Sequence, residues 1–290
     1  MRNLFPILTV VAAIFALWYA GSVALNAPWA YDKAERAGVE LTTKELIADT
    51  MSQKKPKLPP PHQVGAEIWK TTGAMVAKGR AFSKRSLIYH SWITLSATLL
   101  GFALGTGFGI LLSVGIVYNR TMDMSVMPWV IASQTIPILA IAPMIIVVLN
   151  AVGISGLLPK AVISMYLSFF PVVVGMVKGL RSPDHMQVDQ MKTWNASKGQ
   201  EFWKLRLPSS MPFMFPSLKV AMAASLVGAI VGELPTGAVA GLGARLLGGS
   251  YYGQTIQIWS ALITAAVLAA ALVGIIGVTQ KVVLKRMGMA

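Results

Sequence analysis

The sequence predicts an all-α polytopic membrane protein with six transmembrane helices and a pair of short helices on the cytoplasmic side. Of its 290 residues, 55% are hydrophobic and only 12% are charged, and the mean hydropathy is +0.63. Soluble domains carry about 25% charged residues, so this composition indicates a membrane protein. Six apolar runs are long enough to cross a bilayer, at residues 4–27, 92–118, 126–152, 157–177, 213–234 and 255–283.

The composition also excludes several kinds of chemistry. The chain has no cysteine, so it can form no disulfide and no cysteine-ligated metal site. His62, His90 and His185 are far apart and lack metal-ligand spacing, and no serine, histidine and acid set is arranged for nucleophilic catalysis. We therefore expect neither a cofactor nor enzymatic activity. The net charge of +14 arises beside apolar segments, so topology and the lipid bilayer explain it better than a nucleic acid.

The first apolar run fits either an uncleaved membrane helix or a signal peptide. The small residues at 22–24 resemble a cleavage site. However, this run of about 20 residues exceeds the 7–15 that are typical of a signal-peptide core. We therefore expect residues 1–27 to be the first transmembrane helix.

Residues 28–90 are predicted to be an extracytoplasmic loop rich in proline and lysine. The proline run at 59–61 should be extended and stiff. A short amphipathic helix is predicted at 64–76, lying along the membrane surface. Its apolar face holds Val64, Ile68, Trp69 and Met75. The remaining divisions are a five-helix core at 91–283 and a cytoplasmic tail at 284–290.

The short loops decide the orientation, because long loops cross the membrane regardless of their charge. With the N-terminus inside and the long loop 28–90 left out of the count, only Lys160 and Arg245 lie on the outer side, against eleven basic residues on the inner side. We therefore expect both termini and residues 182–212 in the cytoplasm. The eleven are Arg2, Arg120, Lys178, Arg181, Lys192, Lys198, Lys204, Arg206, Lys281, Lys285 and Arg286.

Two patterns mark the second to fourth membrane segments. Glycines at 101, 105 and 109 form a small-xxx-small ladder, which favours close helix packing. Prolines at 137 and 143 free backbone carbonyls in the third segment, which is tolerated where a helix lines a cavity or has polar neighbours. Polar residues nearby are candidates for a translocation pathway, with ordinary interhelical hydrogen bonding as the alternative. The candidates are Gln134, Thr135 and Pro137, together with Tyr166 and Ser168 in the fourth segment.

Glu233 is the only carboxylate in or at the edge of a predicted membrane segment, so it is a further pathway candidate. Alternatively, it could pair with Arg245 or a backbone donor and hold the outer loop. That loop, residues 236–252, is rich in glycine and is predicted to be tightly turned or re-entrant. It is not a phosphate-binding loop, because G-x-x-x-x-G-K-[ST] does not occur in the chain.

Residues 182–212 form the longest polar interval between apolar runs in the C-terminal two thirds of the chain. Ser182 is predicted to cap a helix that begins at Pro183. Asn195 is predicted to end it, because asparagine tolerates the left-handed conformation of a helix end.

A second short helix should follow at once. Ser197 and Gln200 have the spacing of a capping box, and the helix is expected to run to about Leu207, with Pro208 beyond it. Two capped helices joined by a tight turn favour a docking element. A solvated hairpin without a partner is the alternative.

This helix pair resembles the coupling segment of the permease subunits of bacterial binding-protein-dependent ABC importers. In that family the segment reads E-A-A, three residues, Gly, about nine residues and an apolar-x-Leu-Pro end. Here residues 189–191 (Asp-Gln-Met) stand at the E-A-A, Asn195 at the Gly, and Leu207-Pro208 at the end. The resemblance extends over residues 59–287 and is nearest to the nitrate, sulfonate and taurine class. The insertion at 28–57 is longer than is usual in that class.

The resemblance implies a type I importer permease fold and an assembly. Two cytoplasmic ATPase subunits would each receive one coupling helix, and the permease would pair with a second copy or a related permease. An extracytoplasmic binding protein would deliver a small polar organic solute or an anion. The residues implied in ATPase coupling are Met186, Asp189, Gln190, Met191, Trp194, Asn195, Ser197, Leu207 and Pro208.

Two other functions compete with this interpretation. An ion-coupled secondary transporter would require inverted repeats and several charges within the membrane, whereas the chain offers one carboxylate and no convincing repeat. A membrane scaffold without transport activity would not need a proline-broken polar segment in mid-membrane.

Overall fold

The computed structural model describes residues 4–234 and 240–289, and these residues form helices without strands. The helices are α1 (Leu4–Ala37), α2 (Thr43–Ser52), α3 (Pro61–Thr71), α4 (Gly73–Ala77), α5 (Leu87–Tyr118), α6 (Arg120–Ser133), α7 (Ile138–Ala151), α8 (Leu157–Leu180), α9 (His185–Thr193), α10 (Lys198–Glu201), a π-helical turn (Phe202–Arg206), α11 (Leu207–Gly232), α12 (Leu242–Tyr251) and α13 (Thr255–Arg286).

The prediction of an all-α polytopic membrane protein is confirmed. Five helical stretches are long and apolar enough to cross a membrane: α1, α5, α8, Lys198–Gly232 and α13. The third predicted segment is not one straight helix, because α6 and α7 meet at a bend of 100°. If that bent pair forms one span, the total is the predicted six. The bend lies beside Pro137, where the missing N–H and the restricted preceding residue end a helix.

The chain divides into two compact units, residues 1–91 with 244–265 and residues 92–243 with 266–290. In the first unit α1 continues ten residues beyond its predicted end, with Pro28 inside the helix. The Asn26 side chain explains part of this order, since it bonds both the N–H and the carbonyl of Leu58 at 3.2 and 2.9 Å. Lys33 and Asp49 join α1 to α2 at 2.7 Å. Tertiary contacts thus make helices where polarity alone predicts loop.

The predicted amphipathic helix at 64–76 is present as two shorter helices. α3 begins three residues earlier, at Pro61, and Thr72 separates it from α4. Val64 is buried whereas Trp69 is 69% exposed, so the predicted apolar face is only partly covered by the described residues.

In the second unit the glycine ladder of α5 packs directly on α8. A Cβ atom at Gly105 would lie 2.0 Å from the Ser168 hydroxyl, and one at Gly101 would lie 2.2 Å from Ser164 Cβ. The Ser168 hydroxyl donates to the Gly101 carbonyl at 3.3 Å. Only glycine allows the backbones to approach this closely, so the predicted role of the ladder in helix packing is confirmed.

Small residues also join α8 to α11 along their length. Cβ atoms at Gly179 and Gly175 of α8 would lie 2.8 and 1.8 Å from side-chain atoms of Ser210 and Ser217 of α11. Near the other end, a Cβ at Gly228 of α11 would lie 2.7 Å from the backbone of α8. Because α8 and α11 pack closely near both ends, these two antiparallel helices form one tightly packed pair.

The outer loop differs from its prediction. Residues 242–251 of the glycine-rich stretch form the regular helix α12, so the prediction of a tight turn is wrong for that part. Residues 235–239, where the loop begins, lie outside the described residues. Glycine lowers helix propensity by only about 1 kcal/mol per residue, which the contacts at the start of α12 offset.

Candidate functional site

The chain between α8 and α11, residues 181–206, is called the α8–α11 connection below. Its first helix begins two residues later than predicted, at His185. Asp184 and Gln187 form the capping box there, and the Asp184 N–H donates to Gln187 Oε1 at 3.1 Å. The prediction that Ser182 caps this helix is wrong. Its hydroxyl instead donates back to the carbonyls of Gly179 and Ser209, at 2.7 and 3.2 Å.

The turn after α9 has the predicted left-handed residue. Asn195 has a φ of +50° and is the one non-glycine residue with a positive φ among the described residues. The Asn195 N–H donates to the Lys192 carbonyl at 2.8 Å, and the Ala196 N–H to the Met191 carbonyl at 3.0 Å. This pair of bonds is a Schellman motif, so a regular helix cap fixes the direction in which the chain leaves α9.

The second capping box is confirmed, but the helix that it starts does not end at Leu207. The Gln200 N–H donates to the Ser197 hydroxyl, and the Ser197 N–H to Gln200 Oε1, at 3.3 and 2.9 Å. The helix then continues through the π-helical turn into α11. Pro208 is accommodated near the start of α11, directly after a turn where the α-helical bonding pattern is already interrupted. One continuous helical stretch therefore joins the connection to a membrane helix.

The α8–α11 connection exposes large apolar side chains. Met186 is 78% exposed, Trp194 66% and Trp203 69%, while Met191 is half-buried. Trp203 was not among the predicted coupling residues. It is an aromatic residue on a short polar segment between two apolar runs, and this position could have indicated from the sequence that its side chain is exposed.

Asp189 and Gln190 complete the exposed face of α9. Asp189 accepts a hydrogen bond from Lys192 at 2.9 Å. That bond and the charge of the ammonium group hold the pKa of Asp189 below its ordinary value, so the carboxylate is ionised at neutral pH and is half of an exposed ion pair.

Arg206 fastens the connection to the end of α8. Its Nη1 donates to the Leu180 carbonyl at 2.9 Å, its Nε donates to Glu201 at 2.5 Å, and its guanidinium lies 5.8 Å from the ring centre of Tyr118. A second ion pair at 2.8 Å joins Arg181 to Asp123. In the sequence these arginines indicate only the topology of the chain. Glu201 is only five residues from Arg206, but the other partners are distant in sequence, and no local pattern identifies them.

Replacing Arg206 by alanine is expected to weaken this attachment. The change leaves the Leu180 carbonyl and the partly buried Glu201 without their donor, at a cost of about 1–3 kcal/mol. Thermal unfolding of the purified protein should therefore begin at lower temperature. Lys204→Ala is the matched control, because Lys204 lies in the same π-helical turn and is exposed. Equal melting curves for the two variants would contradict an anchoring role for Arg206.

The predicted pathway residues fall into two groups. Gln134, Thr135 and Pro137 lie exposed at the bend between α6 and α7, and Tyr166 donates its hydroxyl proton to the Ser133 carbonyl at the end of α6. Tyr166 thus satisfies a carbonyl that the helix break leaves without a backbone donor. These four residues therefore lie at or beside the break between α6 and α7.

Ser168 and Glu233 lie elsewhere. Ser168 is buried in the contact between α5 and α8. Glu233 is completely buried, and its carboxylate accepts from the Thr94 hydroxyl at 2.9 Å and from the Gly243 N–H at 2.8 Å. The Leu242 N–H donates to the same Thr94 hydroxyl oxygen at 2.9 Å. The Glu233 side chain thus provides an acceptor at the start of α12, where the first N–H groups of a helix have no partner within the helix.

The fold and the exposed, capped connection between two packed membrane helices define the class of type I importer permeases. A sequence model of the family "Binding-protein-dependent transport system inner membrane component" matches residues 105–289. The chain therefore belongs to this family, which confirms the resemblance found in its sequence, and it is a multi-pass inner-membrane protein.

Individual relatives are transport permeases. The formylaminopyrimidine transport permease protein ThiX of Halalkalibacterium halodurans is 34% identical over 154 residues, which span 53% of this chain and 60% of that protein. The riboflavin transport system permease protein RibX of Chloroflexus aurantiacus is 28% identical over 79% of this chain and 80% of that protein. The taurine transport system permease protein TauC of Escherichia coli is 22% identical, over 73% and 74%.

Proposed function

We propose that the protein is the membrane-spanning subunit of an ATP-driven importer and that α9 couples it to separate ATPase subunits. The observation that carries this proposal is the geometry of the α8–α11 connection. A short helix, capped at both ends, presents exposed Met186 and Trp194 and is attached to two membrane helices. Methionine and an aromatic residue on a short exposed helix suit docking into a groove of a partner protein. ATP hydrolysis would take place on that partner.

The proposed assembly contains two cytoplasmic ATPase subunits, a second permease that is identical or related, and an extracytoplasmic substrate-binding protein. Family membership supports it, and the charge of the short loops supports an orientation with both termini in the cytoplasm. Residues 28–90 would then lie outside, and α9 would face the ATPases. The division into residues 1–27, 28–90, 91–283 and 284–290 belongs to the same proposal.

The attachment of α9 suggests how ATP binding would open the pathway. α11 continues from the connection without a break, and α8 packs on α11 through glycine and serine pairs. Arg206 closes the base of the connection by bonding the end of α8. When the ATPases close and displace α9, these helices would move as one rigid body and rock the core between inward- and outward-open forms.

The bend between α6 and α7 is the proposed place where substrate contacts the permease. Gln134 and Thr135 are exposed there, and the interruption of a membrane helix provides polar backbone groups beside them. We propose a small polar organic solute or anion as the substrate. The names of three relatives, which specify formylaminopyrimidine, riboflavin and taurine, support this range.

Isolation of the complex tests the proposal. The tagged full-length chain, purified from its native membranes, is expected to bring down a protein with the G-x-x-x-x-G-K-[ST] motif of an ATPase, and the isolate should hydrolyse ATP. The double variant Met186→Ser/Trp194→Ser should recover at least about tenfold less of that protein, because each exposed anchor of a small interface contributes about 1–2 kcal/mol or more. Trp69→Ser is the matched control, since Trp69 has nearly the same exposure as Trp194, 69% against 66%.

Two results would overturn this proposal. One is equal recovery of the ATPase by the double variant and by wild type. The other is uptake by the chain alone, reconstituted in vesicles and driven by a proton or sodium gradient without ATP. That second result would identify an ion-coupled secondary transporter.

A further inference from the structure

A groove of about 370 Å³ lies between α11 and α13. Gly274, Gly277, Val278 and Lys281 line one wall, and Lys219 of α11 lines the other. The α13 residues are spaced three and four apart, so they share one face of that helix. The groove therefore follows a single stripe of α13.

The side chain of Lys219 extends from α11 and contacts α13 at a glycine. A Cβ atom at Gly277 would lie 3.6 Å from Lys219 Cε and 3.7 Å from its Nζ. These are ordinary van der Waals distances, so the Lys219 ammonium group lies directly against the surface of α13 at residue 277. Lys281 is one turn further along the same face. Two basic side chains, Lys219 and Lys281, thus line the same stretch of the groove.

These charges have no protein counter-ion in the described part of the chain, where neither Lys219 nor Lys281 takes part in an ion pair. Lys219 lies within the apolar stretch Lys198–Gly232. A lysine inside a membrane segment is costly unless it is paired or reaches water or a polar group. The site therefore favours an anion.

The part of the groove at Gly274 and Val278, next to these lysines, is apolar and open. Val278 is 64% exposed, and a Cβ atom at Gly274 would have no atom within 4 Å. An anion that fills the whole groove must therefore carry a hydrocarbon part. A small inorganic anion would neutralise the lysines but leave the apolar wall uncovered.

We propose that this groove binds an anionic phospholipid, with the headgroup phosphate between Lys219 and Lys281 and one acyl chain along Gly274 and Val278. Basic pockets between membrane helices are suited to such headgroups. The Gln280 amide, which also lines the groove, is placed to donate to the headgroup. This site is separate from α9 and from the bend between α6 and α7, and the proposal does not depend on transport activity.

Lipid titration of the full-length chain tests the inference. Native mass spectrometry in detergent would compare dioleoyl phosphatidylglycerol with dioleoyl phosphatidylcholine, and we expect one site that prefers the anionic lipid. Lys219→Gln and Lys281→Gln should each weaken phosphatidylglycerol binding by about fivefold, which corresponds to about 1 kcal/mol per basic side chain. Lys219→Arg should restore most of the affinity. Lys285→Gln, on the same helix but outside the groove, is the matched control and should change binding by less than about twofold.

A second variant separates a lipid from a free anion. Gly274→Leu fills the apolar part of the groove without changing a charged residue, and it should weaken phosphatidylglycerol binding. In a separate competition with the wild-type chain, inorganic phosphate at millimolar concentration should fail to displace the lipid. The inference is wrong if the two lysine variants bind phosphatidylglycerol as wild type does. It is also wrong if phosphate displaces the lipid and Gly274→Leu has no effect, because the site would then take a soluble anion.

Discussion

Replacing Asn195 by proline is expected to reduce ATP-dependent uptake at least about tenfold while the protein still inserts in the membrane. Proline fixes φ near −65°, whereas Asn195 has a φ of +50°. The substitution also removes the N–H that donates to the Lys192 carbonyl. The Schellman turn cannot then form, and α9 changes its direction relative to α8 and α11. Uptake and ATP hydrolysis by the complex in vesicles, measured with and without the binding protein, would reveal the loss of coupling.

Asn195→Gly is the control for this experiment. Glycine adopts the left-handed conformation more easily than asparagine, so this variant should couple hydrolysis to uptake as wild type does. Equal amounts of both variants in the membrane would exclude a folding defect. Normal coupled transport by Asn195→Pro would show that α9 does not transmit motion from an ATPase, whatever else it binds.

The sequence predicted best those features that depend on neighbouring residues or on long apolar runs. The membrane helices, the left-handed Asn195 and the capping box of Ser197 and Gln200 are of this kind. Ser182 illustrates the limit. Its hydroxyl bonds the Ser209 carbonyl, 27 residues away, and that tertiary partner prevails over the local capping pattern.

The course of the chain after α10 could not be predicted for a related reason. Pro208 normally marks the end of a helix, and the local rule therefore placed a break at Leu207. A π-helical turn absorbs the proline instead, with the Leu207 N–H donating to the Phe202 carbonyl. The packing of α11 on α8 favours the continuous helix, and only the fold shows it.

The candidate site was predicted in part. The family resemblance implied Met186 and Trp194, and both are exposed, but it did not imply the partners of Arg206 and Glu233. Arg206 bonds a carbonyl 26 residues away, and Glu233 bonds Thr94, 139 residues away. Such contacts form only when distant helices come together, and a single sequence carries no signal of them.

Removing the Glu233 carboxylate is expected to destabilise the protein strongly. In Glu233→Ala the Gly243 N–H loses its acceptor at the position of a fully buried side chain. Each unsatisfied buried group costs about 1–3 kcal/mol, so the apparent melting temperature should fall by roughly 5–10 °C. Glu233→Gln keeps one acceptor oxygen for the Gly243 N–H. Its melting temperature should therefore lie between those of Glu233→Ala and wild type.

Gly241→Ala tests the same contact from the other side. Gly241 has a φ of +127°, a region open in practice only to glycine, and its Cβ would lie 2.2 Å from the Glu233 carboxylate carbon. We expect a loss of stability as large as that of Glu233→Ala. Gly248→Ala is the matched control, because a Cβ at that position of α12 meets no atom within 4 Å, and alanine favours a helix. A Glu233→Ala protein with wild-type melting but no uptake would instead assign the carboxylate to the substrate, because an anchor for α12 cannot be removed without lowering stability.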